Sequence, residues 1–442
     1  SGNVLSTFDT ENQIWSSPAI SDLNNDGLYE IIISSKDQYI YVLNHSAELL
    51  MSYNAEQYLL GTPAIGNIDS DSDLEIIFGG YSNEGKIFAI NFDGTNVNGF
   101  PVSINEKIQR GVALADLNQN NLSDIIFGTD SENIYVLYDT GEIAFNIELQ
   151  GDIRSAPSVI KMGNEYLILT GSRDDYLYGI TELGEIKFSY YTGDKVDSSP
   201  IVLDYNDQVI IFFGCSNGNL YAIDTNGNNM SGFPINIGSA IESSPSIADF
   251  NGDGIPEIVV SSVANDLKIY NLNGTTYTNI PINFEFPFSG HPIIKDIDLD
   301  GDLEVFVGST NGMIGIDIKD INGNTEGYWN QFRNNITRTG YIESDQILHN
   351  INPELLSDFI LFPPYPNPFN PSTKITYFLP ESADIELLVY DITGRQVDIL
   401  KQQMMPAGYH SIAWESNLAS GKYFIHLISN NIKLSQSITL IK

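Results

Sequence analysis

The chain has 442 residues, 42% hydrophobic and 17% charged, which is enough apolar mass for a large core and too apolar a mix for disorder. Twenty Lys and Arg stand against 57 Asp and Glu, and the resulting net charge of −37 excludes a basic surface for nucleic acid or anionic membranes. No run of about 18 apolar residues is present to span a bilayer, one cysteine rules out a disulfide framework or a cysteine zinc site, and 37 Gly with 19 Pro point to a turn-rich, all-β chain.

Taken in chain order, the first short stretch, Val4–Asp9, reads as an outer strand without its own sheet. One unit then recurs seven times, aligned on Pro18, Pro63, Val112, Pro157, Pro200, Pro245 and Pro292, at spacings of 45, 49, 45, 43, 45 and 47. Each copy has a short apolar run after the proline and a second strand after a polar loop, as at Ile31–Ser34, Ile76–Gly79 and Ile258–Ser261. A third strand carries aromatics (Tyr39–Leu43, Ile134–Tyr138), and a fourth is less regular (Ala144–Leu149, Lys187–Tyr191). Four short strands per repeat of this length make the blade of a β-propeller, so residues 1–340 are predicted to form seven blades. Pairing of Val4–Asp9 into the seventh blade would close the ring and remove two free edges.

Residues 341–362 read as a linker, and Pro363–Pro368 should be extended and stiff. Alternating strands follow at Lys374–Leu379, Ile385–Asp391, Tyr409–Trp414, Lys422–Ser429 and Ser435–Ile441, with turn signals between them. They predict a small Ig-like β-sandwich over 363–442. That segment holds six Lys/Arg and six Asp/Glu, so the whole acidic excess lies before it.

The polar loop between the first two strands of a repeat carries the chemistry. In the first copy it reads Asp22, Asn24, Asp26, Gly27 and Glu30, which places side-chain oxygens at positions 1, 3, 5 and 9 around a sharp turn. Calcium, which takes six to eight oxygen ligands in a flexible cage, suits such a set. The pattern returns as Asn67, Asp69, Asp71 and Glu75, with Ser72 where the turn wants glycine, and as Asp116, Asn118, Asn120 and Asp124. It returns again as Asp249, Asn251, Asp253 and Glu257, and as Asp296, Asp298, Asp300 and Glu304. The fourth and fifth copies have lost it. Up to five structural Ca²⁺ sites are expected, with the most acidic, seventh-repeat loop the tightest and the third the weakest.

The calcium loops joined to Ile-Ile-Phe-Gly strands (Ile76–Gly79, Ile125–Gly128) resemble the FG-GAP repeat family, the propeller of integrin α-subunits and many secreted bacterial proteins. That resemblance implies a seven-bladed propeller that binds calcium and partners, usually without catalysis. Tyr365–Thr373, Val389–Arg395, Ala407-Gly408 and Ser420–Tyr423, in that order, resemble the type A C-terminal sorting domain of the type IX secretion system. This second resemblance implies export across the outer membrane, by that secretion machinery, to the cell surface or beyond. Ser1–Val4 has neither a basic nor an apolar leader region, which for an exported protein implies a mature sequence.

Gly214–Gly218 matches the Gly-x-Ser-x-Gly pattern of hydrolases, but it occupies the slot of a strand-to-strand turn. The five histidines show no ligand or triad spacing, and Cys215 follows an apolar strand as a small buried residue would. The sequence therefore predicts no enzyme but a calcium-stabilised extracellular scaffold or surface protein. It would self-associate, as filaments through the C-terminal domain. An adhesin gripping a glycan or protein through one propeller face is the alternative, and a secreted hydrolase the third reading.

Overall fold

The structure, a computed structural model, describes residues 4–441 apart from 207, 265, 284–287, 289, 310–311, 321–322, 345–358, 362–363, 365–367, 380–381, 406–407, 417 and 430–431. The chain divides into two compact units, Ser1–Leu348 and His349–Lys442. The Pro-rich run lies mostly outside the described residues, as does the expected linker between 345 and 358. The beginning of that linker is instead structured: strand Tyr341–Glu343 pairs within the first unit.

Among the described residues of the first unit, seven small sheets succeed one another along the chain, each an antiparallel meander, and the architecture is an all-β propeller. The first sheet shows the plan. Ala19–Ser21 pairs with Glu30–Ser34, then Tyr39–Leu43, then Leu49–Asn54. Burial falls from the inner strands to the outer one, where Leu49 and Leu50 are exposed. Mostly β-branched residues of the inner and middle strands fill the space between sheets: Ile32, Ile40, Val42, Ile65 and Ile76, with Phe78, form one such buried layer.

The repeated Ser-Pro or Thr-Pro dipeptides join neighbouring sheets. At three junctions the amide of the residue before one proline donates to the side chain of the residue before the next sheet's proline. Ser17 N reaches Thr62 Oγ1 at 3.0 Å, Ala156 N reaches Ser199 Oγ at 2.9 Å, and Ser244 N reaches His291 Nδ1 at 2.6 Å. Proline has no amide of its own to offer, so the residue before it carries this contact.

Five innermost strands are three residues long (Ala19–Ser21, Ala64–Gly66, Ala113–Ala115, Ser246–Ala248, Ile293–Lys295) and run into the acidic loops. The other two, Ser158–Met162 and Ile201–Tyr205, are five residues long. In these repeats the acidic loop is absent and the ladder continues to Met162 opposite Glu165 and Tyr205 opposite Gln208. Losing the loop lets two more residues pair.

The ring is tied together from inside, not by Val4–Asp9. That segment forms no strand, Leu5 is 96% exposed, and Phe8 packs edge-on against Tyr41 of the first sheet. The seventh sheet has three strands among the described residues. Residues 324–343 instead run past the innermost strands and accept their otherwise unpaired amides. Asp249 N bonds Asn324 O, Ile247 N bonds Trp329 O, and Ile294 N bonds Asn330 O. Ile20, Ile65, Leu114 and Val159 donate in the same way to Ile336, Thr337, Thr339 and Gly340, all at 2.8–2.9 Å. One segment thus links six of the seven sheets.

Arg333 pins this segment. It is 2% exposed, and its guanidinium donates to the carbonyls of Pro157 and Val112. Arg338 donates from Nε to Pro18 O at 2.9 Å and from Nη1 to Phe332 O at 2.6 Å. Desolvation holds Arg333 down at about 9 and Arg338 at about 10, well below the ordinary guanidinium range.

The second unit is a two-sheet sandwich. Ile360–Leu361, Ser372–Leu379 and Gly408–Glu415 form one sheet; Gln396–Met405, Ala383–Asp391, Gly421–Ser429 and Ile432–Leu440 form the other. Ile375, Tyr377, Ile385, Leu387, Trp414, Ile425 and Ile438 share its core. Strand Gln396–Met405 escapes a sequence reading because its apolar and polar residues do not alternate and its side chains are half or fully exposed, as befits an edge.

Candidate metal loops

The acidic loops are wound by similar local bonds. In four of them side chains at positions 3 and 5 accept the amide two residues on, as with Asp26 N to Asn24 Oδ1, Leu28 N to Asp26 Oδ1, Asp253 N to Asn251 Oδ1 and Ile255 N to Asp253 Oδ1, while in the seventh only Asp300 at position 5 does so, from Asp302 N. The Asp116 loop repeats this through Asn118 and Asn120. Asp22, Asp116, Asp249 and Asp296 each close their turn by accepting one or more further amides, as Asp249 does from Gly252 and Gly254 at 2.8 Å. Gly27, Gly254 and Gly301 supply the positive φ of +86°, +79° and +95°, and Asn121 takes the same region at +69°.

The acid at position 9 is the buried anchor. Glu30, Glu75, Asp124, Glu257 and Glu304 are all at most 8% exposed. Each accepts the amide seven residues earlier, from Leu23, Ile68, Leu117, Phe250 and Ile297, at 2.8–3.0 Å. Burial pushes the carboxyls of Glu75 and Asp124 up to about 7 and that of Glu257 to about 8. Such a group is held at a cost unless a cation or a proton joins it.

Two loops bring carboxylates together. Asp69, Asp71 and Glu75 offer oxygens within 4.8 Å of one another, and so do Asp298, Asp300, Asp302 and Glu304. Glu75 Oε1 and Glu304 Oε1 are buried without a hydrogen-bond partner, the condition in which a hard cation is the natural complement. These two sets fit Ca²⁺. Asp302, at position 7 of its loop, is missed by a reading on positions 1, 3, 5 and 9; its signal is the continued odd spacing Asp296, Asp298, Asp300, Asp302. Asp296 is absent from that cluster and serves the turn amides instead.

The seventh loop also has its own cation. Lys319 Nζ lies 3.3 Å from Asp300, 3.1 Å from Asp302 and 2.6 Å from Asp317. The remaining loops are closed differently. Asn24 Nδ2 reaches Glu30 Oε1 at 3.4 Å and Asn118 Nδ2 reaches Asp124 Oδ1 at 3.1 Å, so there an amide stands beside the anchor acid. In the Asp249 loop, Asp249, Asp253 and Glu257 do not meet within that distance among the described residues.

Gly214–Gly218 joins strand Gln208–Gly214 to strand Asn219–Ile223, with Gly218 at φ +82°, and no helix follows it. Cys215 is fully buried, and its thiol is raised by desolvation.

Comparison with known proteins divides the chain the same way. Residues 249–307, spanning both of the last two acidic loops, match the FG-GAP-like repeat. Residues 364–442 match the secretion system C-terminal sorting domain. The chain is a type IX secretion cargo. Its sorting domain directs it to the cell surface or the extracellular space, with the propeller as the exported part. No curated protein matches the chain in sequence. Similar solved structures include BBS1N in complex with ARL6DN, soaked with mercury, at TM-score 0.49 and 14% identity over 70% of this chain and 92% of that one. BamB from Moraxella catarrhalis is similar at TM-score 0.44 and 15% identity, over 71% and 99%.

Proposed function

We propose that this sorting-domain protein is a non-catalytic, calcium-stabilised propeller that works outside the cell by binding. The observation that carries the reading is a division between the two ends of the sheets. In an antiparallel meander, successive connections alternate ends. The five acidic loops, which join first to second strands, therefore lie at one end. Connections from second to third strands, and from one sheet to the next, lie at the other. The acidic end would hold Ca²⁺ through Asp69, Asp71 and Glu75 and through Asp298, Asp300, Asp302 and Glu304. The metal would cross-link two strands and relieve the repulsion among those carboxylates. The opposite end holds a cavity of about 260 Å³ among charged and aromatic side chains and is free to receive a ligand.

The test is a glycan and protein array probed with the secreted chain, in calcium and in chelator. Specific binding that calcium preserves supports the reading, and a blank array in both conditions refutes it. A second reading, a structural surface polymer, is favoured by the exposed edge strand Gly312–Ile318 of the three-stranded seventh sheet, where Met313 is 73% exposed. Electron microscopy of the whole chain would show filaments if that reading holds.

A further inference from the structure

The 260 Å³ cavity holds Arg110, one of three propeller arginines that form no ion pair among the described residues. It is lined by Arg110, Asp197, Ser199, Glu242, His291 and Phe332, among others. The other guanidiniums on this end are paired: Arg154 with Asp130 and Asp152, and Arg173 with Asp197 at 2.7–2.8 Å. Arg110 has no carboxylate within 4 Å among the described ion pairs. Its Nε donates to Arg154 O at 2.9 Å, which aligns the fork and leaves the terminal amines uncommitted. Below it, Arg333 and Arg338 are bonded to carbonyls and to the Gln331 amide oxygen, not to carboxylates. Asp197 and Glu242 act on Arg110 from a distance without pairing it, and the charges of Arg110, Arg338 and Arg333 all act on His291, so three guanidiniums gather at this wall of a chain with net charge −37.

The other walls refine the ligand. His291 Nδ1 accepts from Ser244 N, and the ring stacks on Phe332 at 4.0 Å between centroids, 6° from parallel. Desolvation first, then the charges of Arg110 and Arg338, push His291 down to about 3. The neutral ring therefore carries its proton on Nε2 as a donor. Ser199 Oγ accepts from Ala156 N and keeps its own hydroxyl hydrogen to give. Asp197 is already neutralised by Arg173 and by Lys195 at 3.6 Å. Glu242, 3.8 Å from Lys195, is the acceptor available for hydroxyls. Val263, Phe288 and Phe332 supply an apolar wall.

Resting on the binding reading above, we infer that this cavity receives the carboxylate of an acidic sugar unit. Arg110 would take the carboxylate, Ser199, His291 and Glu242 the hydroxyls, and the Phe288–Phe332 wall the apolar ring face. The volume lies below the ~300–1,000 Å³ of sites for drug-sized ligands, which fits a single sugar ring and not a folded partner.

The experiment is calorimetric titration of the full-length protein, in saturating calcium, with trigalacturonate, with neutral galactotriose and with an acidic tripeptide. Trigalacturonate should bind and galactotriose should not. Arg110→Gln should weaken binding at least tenfold, Arg110→Lys less, and Lys36→Gln, which removes a charge from the same end away from the cavity, should leave it unchanged. Unchanged melting temperatures will show that the variants fold. Equal binding of the neutral sugar, preference for the peptide, or indifference to Arg110→Gln overturns the inference. A positive array combined with no uronate binding overturns this inference alone and leaves the binding reading standing.

Discussion

The inner tie of the propeller makes a prediction about one glycine. Gly340 sits at φ +64°, and a Cβ built there would lie 2.5 Å from both Cζ and Nη2 of Arg333. The Arg333 guanidinium cannot retreat, because it is fixed between the carbonyls of Pro157 and Val112. Gly340→Ala therefore meets two penalties: about 1–2 kcal/mol for an L-residue in the left-handed region and about 1–3 kcal/mol for overpacking. Gly163, at φ +62° with nothing within 4 Å of its Cβ position, isolates the first penalty. Gly163→Ala should then cost about 1–2 kcal/mol and Gly340→Ala about 2–5 kcal/mol. At roughly 2 °C per kcal/mol for a unit of this size, the Gly340 variant should melt about 4–10 °C lower. Scanning calorimetry of the full chain in calcium reads both. A double-mutant cycle decides the cause, since in an Arg333→Ala background the added cost at Gly340 should shrink to that of Gly163→Ala. Equal losses at the two glycines, or no coupling to Arg333, would refute the role given to this arginine.

Chelation should lower the melting of the first unit and leave the sorting domain unmoved; each site saturated 100-fold above its Kd contributes about 2.7 kcal/mol. Differential scanning with and without chelator reads this, and a propeller transition insensitive to calcium would sink the metal assignment. Lys319→Ala should raise calcium affinity at the seventh loop by about two- to fivefold, since an exposed ammonium then no longer occupies Asp300 and Asp302. Calcium titration of the variant against the unaltered chain checks it. In chelator, the raised carboxyls of Glu75, Asp124 and Glu257 keep protons that the unfolded chain has lost, so their contribution is present at pH about 4 and disappears as pH rises through about 7–8. The slope is up to about 1.4 kcal/mol per pH unit for each group, and denaturant melts from pH 5 to 8 should show stability falling. Cys215, fully buried with its thiol raised, should react with a thiol reagent only after unfolding.

Much of this was legible in the residues. A near-regular period, marked by proline in six of seven copies and followed by β-branched runs, names a repeat of short strands, because each strand must bury its faces against its neighbours. The alternating oxygens of the acidic loops are legible for a similar reason: side chains at alternate positions of so tight a turn can accept its own amides. The C-terminal strands follow from period-two alternation, except Gln396–Met405, whose edge position removes the pattern.

What the sequence could not show was who closes the ring. Val4–Asp9 looks like a strand by local propensity, yet Trp329–Gly340, which has no strand pattern at all, does the work. Its bonds are long-range, from carbonyls to amides on six sheets, and backbone carbonyls carry no sequence signature. Nor could spacing reveal that Lys319 enters the seventh loop, or that Arg110, Phe332 and His291 line one cavity from positions up to 222 residues apart. Local chemistry determines strands, turns and oxygen-lined loops; only the packing of sheets around a common centre brings distant charges together.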